Sequence, residues 1–288
     1  MKINGTEIAE QIRNDIRLKI NDLRLKNITP KIAIITLGDE SSWEAYVAQK
    51  LKVAAELGIE AELINLKDAN QENLLTKIAE INDDNSYHGI IVQRPMPANI
   101  NKEVITNAIL PGKDVDGFRS DSPFEVPVWM AVKRILEETR STNPPAGRQG
   151  HESWKKLNFV VLGKGETAGG PIIRGLRKLE IEPKIIDSKT ENRTEILKNA
   201  DVIITCVGKR EVIKPTDIMP GVTLIGVGTH GEDLPAGRQV ESKRVIRGDY
   251  LSHEVEEIAG FYTPTPGGVG PINLSYLFSN LIQAATIN

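Results

Sequence analysis

The stretch GIIVQRPMP, residues 89–97, holds the strand and the strand exit on which the predicted fold depends. Its first four residues, Gly89–Val92, form a short apolar run of the kind found in buried parallel strands. Pro95 and Pro97 end the strand and fix the direction in which the chain leaves it. Gln93 is therefore expected at the carboxyl end of a strand, where open α/β sheets bind their ligands.

A second motif, PGKDVDGF at residues 111–118, contains a turn, a lysine, two acids and a further glycine. Taken alone, KDVDG is as consistent with a solvated turn as with a functional loop. Together with GIIVQRPMP it resembles the motifs of one family, the bifunctional methylenetetrahydrofolate dehydrogenase/cyclohydrolases, which carry VQLPLP-like and PxKDVDGF segments. The resemblance implies an enzyme that oxidises methylenetetrahydrofolate to methenyltetrahydrofolate and then hydrolyses it to formyltetrahydrofolate.

Alternating helix and strand patterns extend to both sides of these motifs and predict parallel sheets built from βαβ units. In the first half the predicted elements are helix 6–26, strand 31–38, helix 42–57, strand 61–66, helix 71–81 and strand 89–92. A predicted helix over residues 126–140 connects the two halves. In the second half they are strand 158–163, helix 171–179, strand 184–187, helix 194–200, strands 201–208, 222–228 and 244–249, and helix 273–286.

The expected fold class is α/β, with two α/β domains of which the second is a Rossmann-type dinucleotide-binding domain. We place a folate-binding catalytic domain at residues 1–125, completed by the C-terminal helix at 270–288, and an NAD(P)-binding domain at 126–269. The resemblance implies an active-site cleft between the two domains and a homodimer formed through the second domain.

The bulk composition limits the class of protein without selecting a function. The 288 residues carry a net charge of -3, so no nucleic-acid or other polyanionic partner is expected. The single cysteine, Cys206, excludes a disulfide framework within the chain. The amphipathic, charged start lacks a signal-peptide apolar region, and no apolar run approaches membrane-spanning length. We expect a soluble, cytoplasmic enzyme without a metal site.

Tyr46 and Lys50 are four residues apart in SWEAYVAQKLKVAAELGI and share one face if this segment is a helix. On structural grounds alone such a pair usually consists of two surface side chains without a functional role. The segment is similar to the family signature YVxxKxKxAxExGI, whose lysine is catalytic. The resemblance therefore assigns proton transfer to Lys50 and the orientation of that lysine to Tyr46. A lysine can move protons at neutral pH only if burial and neighbours lower its pKa from about 10.4.

Two further residues complete the expected folate site. The resemblance makes Gln93 the hydrogen-bonding partner of the catalytic lysine, a role that suits an uncharged donor and acceptor. Asp116 matches the aspartate that holds the pterin ring, since a carboxylate can accept two parallel N–H bonds from an aminopyrimidinone edge. The predicted catalytic residues are Lys50, Tyr46, Gln93 and Asp116. The predicted substrate-binding residues are Tyr46, Gln93, Pro95, Asp116, Gly267, Gly268 and Pro271.

The last three of these residues belong to TPTPGGVGPINL, residues 263–274, which resembles the family's TPVPGGVGPMT. Its prolines and glycines predict a stiff loop of non-helical backbone, suited to a wall of a binding cleft. A plain turn before the last helix is the alternative.

The cofactor site is predicted where NFVVLG runs into GKGETA, residues 163–168, which satisfies the pattern G-x-G-x-x-G/A. Glycines at such a strand-to-helix junction allow the backbone to approach a pyrophosphate closely at the helix N-terminus. The pattern alone is weak, but here it has the required βαβ context. The predicted cofactor-binding residues are Gly163, Lys164, Gly165, Thr167, Ala168, Asp187, Ser188, Lys189, Val207, Gly208 and Thr229.

Two interpretations of the cofactor are open at this point. Asp187, about twenty residues after the glycines, favours the free ribose hydroxyl of NAD. Lys164, Ser188 and Lys189 could instead hold the 2′-phosphate of NADP, the cofactor that most members of the resembled family use. We expect NADP, with NAD as the alternative.

Several positions depart from the family motifs. Where relatives have PCTPxG, this chain has PVWMAV at residues 127–132, and Trp43, Asn273 and Gly226 replace a serine, a threonine and an aspartate. Two similar segments, PAGRQG at 145–150 and PAGRQV at 235–240, are interpreted as tolerated surface insertions.

Three other functions compete with the bifunctional one. A divergent relative could retain the cyclohydrolase step alone, because Lys50 and Gln93 are intact while the PCTP segment is lost. A non-catalytic folate- or nucleotide-binding protein is the second alternative, although simple binding does not need a proton-transfer lysine. The third, a short-chain dehydrogenase with a Tyr-x-x-x-Lys pair, is rejected because its glycine-rich turn precedes that pair in the chain.

Overall fold

The computed structural model describes residues 1–38, 43–67, 70–141, 151–233 and 244–287 and confirms the α/β class. The helices are α1 (Gly5–Leu25), α2 (Glu44–Leu57), α3 (Gln71–Asp83), α4 (Lys102–Ala108), α5 (Pro127–Ser141), α6 (Gly169–Lys178), α7 (Arg193–Lys198), α8 (Ser252–Val255) and α9 (Val269–Ile287). The strands are β1 (Lys31–Leu37), β2 (Glu60–Leu66), β3 (Gly89–Val92), β4 (Phe159–Leu162), β5 (Lys184–Ile186), β6 (Val202–Thr205), β7 (Thr223–Gly226), β8 (Thr229–Asp233), β9 (Arg244–Gly248) and β10 (Phe261–Tyr262). Both PAGRQ segments, 145–150 and 235–240, lie outside the described residues.

The chain groups into two compact units. The first unit comprises Ala9–Pro127 and Leu274–Asn288, and the second comprises Met1–Ile8 and Val128–Asn273. The domain boundaries given above, 1–125 with 270–288 and 126–269, stay a prediction.

The first unit contains a parallel sheet with the strand order β2-β1-β3. The central strand β1 is buried along its length after Lys31, as its run of β-branched residues predicts. A core cluster joins β1 and β3 to α3 and α4, and Ile35, Ile78, Ile90 and Ile105 are among its members. Burial of each such side chain stabilises the fold by about 1.5–3 kcal/mol. The outcome is a rigid sheet from whose carboxyl edge Gln93 emerges.

The strand β2 forms one edge of this sheet, and its side chains are exposed or half-buried. Glu62, near the middle of β2, accepts a hydrogen bond from the Tyr87 hydroxyl. The same carboxylate lies 3.3 Å from Lys31 Nζ. Charged side chains on an edge strand are a common device against pairing with another chain.

The second unit contains a parallel sheet with the order β10-β7-β6-β4-β5. Numbered from its own first strand and read from the β5 edge, the order is about 2-1-3-4-5, one of the doubly wound arrangements. The order in which strands are added to the sheet reverses between β4 and β6, and such sheets bind ligands at this point, beyond the carboxyl ends of the strands. The Rossmann-type prediction is confirmed.

Two details of the second half were predicted wrongly. The segment 244–249 does not complete the main sheet, because β9 pairs antiparallel with β8. Val245, Ile246 and Arg247 of β9 are only half-buried, in contrast to the fully buried strands β4 and β6 of the main sheet. The remaining strand of the main sheet is β10, which has only two residues and therefore shows no periodicity in the sequence.

The PGGVGP segment is also not wholly a loop, since α9 begins at Val269 within it. Pro271 falls in the first turn of α9, where the missing N–H has no helical partner to lose. Among the described residues, no helix is both long and apolar enough to cross a membrane.

Candidate active site

The carboxyl edge of the first sheet brings Lys50 and Gln93 together. Lys50 lies on α2, which follows β1, and Gln93 directly follows β3, where its backbone N–H donates to the Ile35 carbonyl at 2.8 Å. Lys50 Nζ donates to Gln93 Oε1 at 2.8 Å. Gln93 Nε2 in turn donates to the Arg94 carbonyl at 2.8 Å. This second bond fixes the amide so that its oxygen faces the amine.

Asp116 supplies the negative charge that acts on this lysine. Burial lowers the pKa of Lys50, and attraction to the Asp116 carboxylate opposes part of that shift. Burial also raises the pKa of Asp116, against the opposing effects of Lys50 and Arg94. A lysine whose pKa is lowered in this way can exchange protons closer to neutral pH than a solvated one.

Lys113, the lysine of KDVDG, has a structural role. It is buried, and its Nζ donates to the carbonyls of Ile81, Asn82 and Asp84 at 2.8, 2.9 and 2.8 Å. These carbonyls lie at the end of α3, where backbone acceptors lack helical partners and a cation is favoured. Lys113 therefore anchors the PGKDVDGF loop to α3.

Asp114 is the buried acid of the same loop. Its Oδ2 accepts the Arg119 backbone N–H at 2.8 Å. Burial, together with repulsion from Asp116, raises the pKa of Asp114 to about 6. The two acids of KDVDG thus differ: Asp114 is enclosed by its own loop, while Asp116 faces the lysine.

The remaining folate-site predictions fall at several places. Tyr46 lies one turn before Lys50 on α2 and is 48% exposed, and Pro95 is exposed after a cis peptide bond with Arg94. Gly267, with φ of 93°, belongs to the second unit, as do Gly268 and Pro271. A Cβ on Gly268 would lie 2.4 Å from the Pro264 carbonyl oxygen, so only glycine fits there. The structure brings Lys50, Gln93 and Asp116 together, and the roles of all these residues stay predictions.

The glycines after β4 form a cradle at the point where the strand order of the second sheet reverses. Gly163 has φ of 85°, and a Cβ there would lie 2.9 Å from the Cys206 carbonyl oxygen after β6. A Cβ on Gly169, the first residue of α6, would lie 1.9 Å from the Gly163 oxygen. Beside Gly165, by contrast, the space is open. The cradle therefore fits a dinucleotide, because its backbone is exposed to an approaching phosphate just before a helix N-terminus.

Lys164 and Asp187, two predicted cofactor residues, form an ion pair with 2.9 Å between Nζ and Oδ2. The Asp187 carboxylate also accepts the Lys189 backbone N–H at 3.0 Å and the Thr190 hydroxyl at 3.2 Å. These bonds, the Lys164 bond foremost, lower the pKa of Asp187 to about 2. Ser188, in the same turn, is exposed. Of the other predicted residues, Thr167 is exposed and Ala168 immediately precedes α6.

Asp249, which the sequence motifs do not identify, supports the loop that contains two of the predicted cofactor residues. It is fully buried, and its carboxylate accepts the backbone N–H groups of Val207 and Lys209, each at 3.0 Å. It thereby fixes the loop after β6 that contains Gly208, whose φ is 70°. An acid directly after a strand, in RVIRGD, was the available signal. Thr229 begins β8 in the same unit.

Two departures from the family motifs are explained by packing within the second unit. Trp129, in the segment that replaces PCTPxG, is buried against Gly175 of α6, where a Cβ would lie 2.1 Å from the indole. Gly226 lies beneath Tyr250, whose ring would be 2.9 Å from a Cβ at position 226. The Tyr250 hydroxyl donates to the Thr263 carbonyl at 2.6 Å. In the part of the chain that the structure describes, no group of three or more His, Cys, Asp or Glu residues is placed to hold a metal.

The chain is similar to known proteins over its whole length. The family profile "Tetrahydrofolate dehydrogenase/cyclohydrolase, catalytic domain" matches residues 3–116, and "Tetrahydrofolate dehydrogenase/cyclohydrolase, NAD(P)-binding domain" matches residues 148–288. "Bifunctional protein FolD 2" of Rhizobium etli is 34% identical over 286 residues, which cover 98% of this chain and 95% of that protein.

Solved structures agree with these sequence matches. A methylenetetrahydrofolate dehydrogenase-cyclohydrolase (FolD) of Trypanosoma brucei, complexed with NADP cofactor and inhibitor, superposes with a TM-score of 0.86 at 25% identity, covering 100% of this chain and 97% of that one. A 5,10-methylenetetrahydrofolate dehydrogenase of the silkworm Bombyx mori gives a TM-score of 0.79 at 32% identity, covering 99% and 97%.

Proposed function

Because the chain belongs to the tetrahydrofolate dehydrogenase/cyclohydrolase family, we infer that it performs both reactions of that family in one-carbon metabolism. It oxidises methylenetetrahydrofolate to methenyltetrahydrofolate with NADP and hydrolyses the product to formyltetrahydrofolate. The observation that carries this proposal is the bond between Lys50 Nζ and Gln93 Oε1 beside the Asp116 carboxylate. That arrangement offers an amine of lowered pKa next to a carboxylate suited to a pterin edge.

In the hydrolytic step Lys50 acts as the proton carrier. The water oxygen bonds to the methenyl carbon, and one water proton passes to the neutral Lys50 amine. The bond from that carbon to one ring nitrogen then breaks, the nitrogen takes the proton back from Lys50, and the remaining hydroxyl proton passes to solvent as the formyl C=O forms. Gln93 holds the amine through its oxygen in both protonation states of the lysine. Tyr46 orients Lys50, and Asp116 binds the pterin.

In the oxidative step the chain's own residues bind and orient the reactants. NADP supplies a hydride acceptor when bound. The cradle of Gly163, Gly165 and Ala168 would hold its pyrophosphate. Lys164, Ser188 and Lys189 would take its 2′-phosphate, and Val207, Gly208 and Thr229 would line the remainder of the site. Thr167 lies two residues before α6 begins.

We also propose further folate-site residues, the domain boundaries, and the location and assembly of the enzyme. Pro95, Gly267, Gly268 and Pro271 are assigned to walls of the folate site on the strength of their motifs. The folate-binding domain spans 1–125 with 270–288, and the NADP-binding domain spans 126–269. The enzyme is a cytoplasmic homodimer without nucleic-acid partners, as the net charge of -3 and the family resemblance favour.

The alternatives receive less support. Loss of the PCTPxG segment suggested an enzyme with cyclohydrolase activity alone. The replacement is instead explained by packing, because Trp129 is buried against Gly175 of the second unit. A non-catalytic binding protein would not require a lysine of lowered pKa bonded to Gln93.

An absorbance assay for methenyltetrahydrofolate tests the proposal. Purified protein should form this product from methylenetetrahydrofolate with NADP, and more slowly with NAD. Without cofactor it should consume added methenyltetrahydrofolate faster than buffer does. Consumption without formation would favour the cyclohydrolase-only enzyme. Absence of both reactions, with folate binding retained in calorimetry, would favour the binding protein.

A further inference from the structure

Arg94 is a charged residue that the proposed chemistry does not use. It directly follows Gln93 and stands where the VQLPLP-like form of the motif has leucine. Its side chain is half-buried, and burial lowers the pKa of its guanidinium. Removing a charged group from water is unfavourable unless other groups compensate it, so the groups around Arg94 indicate why a charge is kept there.

The Arg94 side chain connects three segments of the first unit. Its Nη2 donates to the Thr106 hydroxyl of α4 at 2.8 Å. Its guanidinium carbon lies 4.3 Å from the centre of the Phe118 ring, a favourable distance for a cation over an aromatic face. A small cavity behind these contacts is lined by Arg94 together with Asp114 and Asp116. Arg94 thus connects the PGKDVDGF loop to α4 and to the residues that follow β3.

Arg94 is one of four charged groups in this region. Lys50 projects from α2, Arg94 from the exit of β3, and Asp114 and Asp116 from the loop. Both aspartates favour the charged form of Arg94, and Arg94 with Lys50 favours the charged form of Asp116. Asp114 also accepts the Arg119 backbone N–H and favours the charged form of the Arg119 side chain. With Lys50 protonated, the four groups balance as two cations and two anions.

Proton transfer by Lys50 disturbs this balance. When the amine gives up its proton, Asp116 loses one of the two cations that act on it. If Arg94 were an uncharged residue, a neutral Lys50 would leave the Asp116 carboxylate without either of the two cations that act on it, and such a state is costly in a partly buried site. Arg94 removes that cost because its guanidinium stays charged throughout.

We propose that Arg94 is a positioning residue, which holds the loop of Asp116 in place and keeps Asp116 ionised while Lys50 gives up its proton. This role rests on the proposed function of Lys50. It acts through Asp116 and requires no contact between Arg94 and the folate.

The test compares Arg94→Met, which removes the charge but keeps an apolar stem on Phe118, with Arg94→Lys, which keeps a charge. Loss of a cation raises the proton affinity of neighbouring groups. The pH dependence of cyclohydrolase kcat/KM in Arg94→Met should therefore move to higher pH by about one unit, a shift typical of a neighbouring charge. Arg94→Lys should restore most of the parent profile. Arg17→Met, on a surface arginine paired with Glu10, is the control and should leave the profile unchanged.

A second readout does not depend on turnover. The rate at which cyanate carbamylates Lys50, followed by peptide mass spectrometry across pH, reports the titration of this amine directly. The midpoint should rise in Arg94→Met and not in Arg17→Met. If Arg94→Met does not fold, Arg94→Gln, which keeps a donor for Thr106, takes its place with the same expectation. An unchanged midpoint in a folded, uncharged variant overturns the role of Arg94, whereas a parent protein without cyclohydrolase turnover overturns the proposed function instead.

Discussion

At the scale of single residues, Lys50 can be separated from its surroundings by one substitution. Lys50→Met keeps the length of the side chain and removes the amine, so cyclohydrolase turnover should fall about 10²–10⁴-fold, as for loss of a general acid–base group. Folate affinity should change much less, because Asp116 remains. Turnover is measured by loss of methenyltetrahydrofolate absorbance, and affinity by calorimetry.

The matched control is Lys52→Met, since Lys52 lies on the same helix with its side chain 75% exposed. It should behave like the parent. A folded Lys50→Met variant with near-parental turnover would show that the water is activated by another group.

Lys164 should decide between the two nicotinamide cofactors. Its ion pair with Asp187 places a cation and an anion next to the expected position of the adenosine ribose. Lys164→Ala should raise the Michaelis constant for NADP far more than that for NAD, because only NADP carries a 2′-phosphate. Lys178→Ala, at the exposed end of α6, should leave both constants unchanged. Equal increases for both cofactors would indicate that Asp187, and not Lys164, determines the preference between NAD and NADP.

At the scale of elements, the junction between α3 and the PGKDVDGF loop depends on Lys113. Lys113→Met leaves three carbonyl groups without their charged donor. We expect a loss of about 2–4 kcal/mol in the free energy of unfolding, since hydrogen bonds to charged groups contribute roughly 1.5–3 kcal/mol and buried acceptors are left unpaired. Urea unfolding measures this loss, with exposed Lys26→Met as the control. Equal stability of the two variants would contradict the anchoring role.

At the scale of the whole molecule, Asp114 contributes a part of the free energy of unfolding that should be lost as the pH rises from about 4 to about 6. Its pKa is about 6 in the folded protein and near 3.9 when solvated. A carboxyl whose folded pKa is raised contributes its stability fully below the unfolded pKa and loses it as the pH rises through the folded one. The difference corresponds to about 3 kcal/mol.

Asp114→Asn removes this titration and keeps an acceptor for the Arg119 N–H. Relative to the parent, the variant should therefore gain stability between pH 4 and pH 7, as measured by urea unfolding at several pH values. A constant difference across that range would rule out Asp114 as the titrating group.

Continuous apolar runs predicted β1, β3 and β4 to within a few residues, and the spacing of apolar residues predicted α2 equally well. The two-residue strand β10 has neither pattern, and β9 could not be assigned to a sheet from its sequence. Motifs identified Lys50 and Gln93, but their bond depends on the strand order that places β3 beside β1. The roles of Lys113, Arg94 and Asp249 depend on which backbone and ring atoms lie nearby, and such contacts between distant segments leave no local pattern.

The outer side of β2 bears on how the protein behaves in concentrated solution. No described strand pairs with this edge, and an open edge is a template for self-association and fibre formation. Glu60 and Glu62 would bring like charges together if two copies met there, and Lys31 with Tyr87 keeps Glu62 in place. Glu62→Val should therefore increase light scattering on storage at high protein concentration, while the parent stays clear. The acidic residues of this strand therefore oppose aggregation, a role that is independent of catalysis.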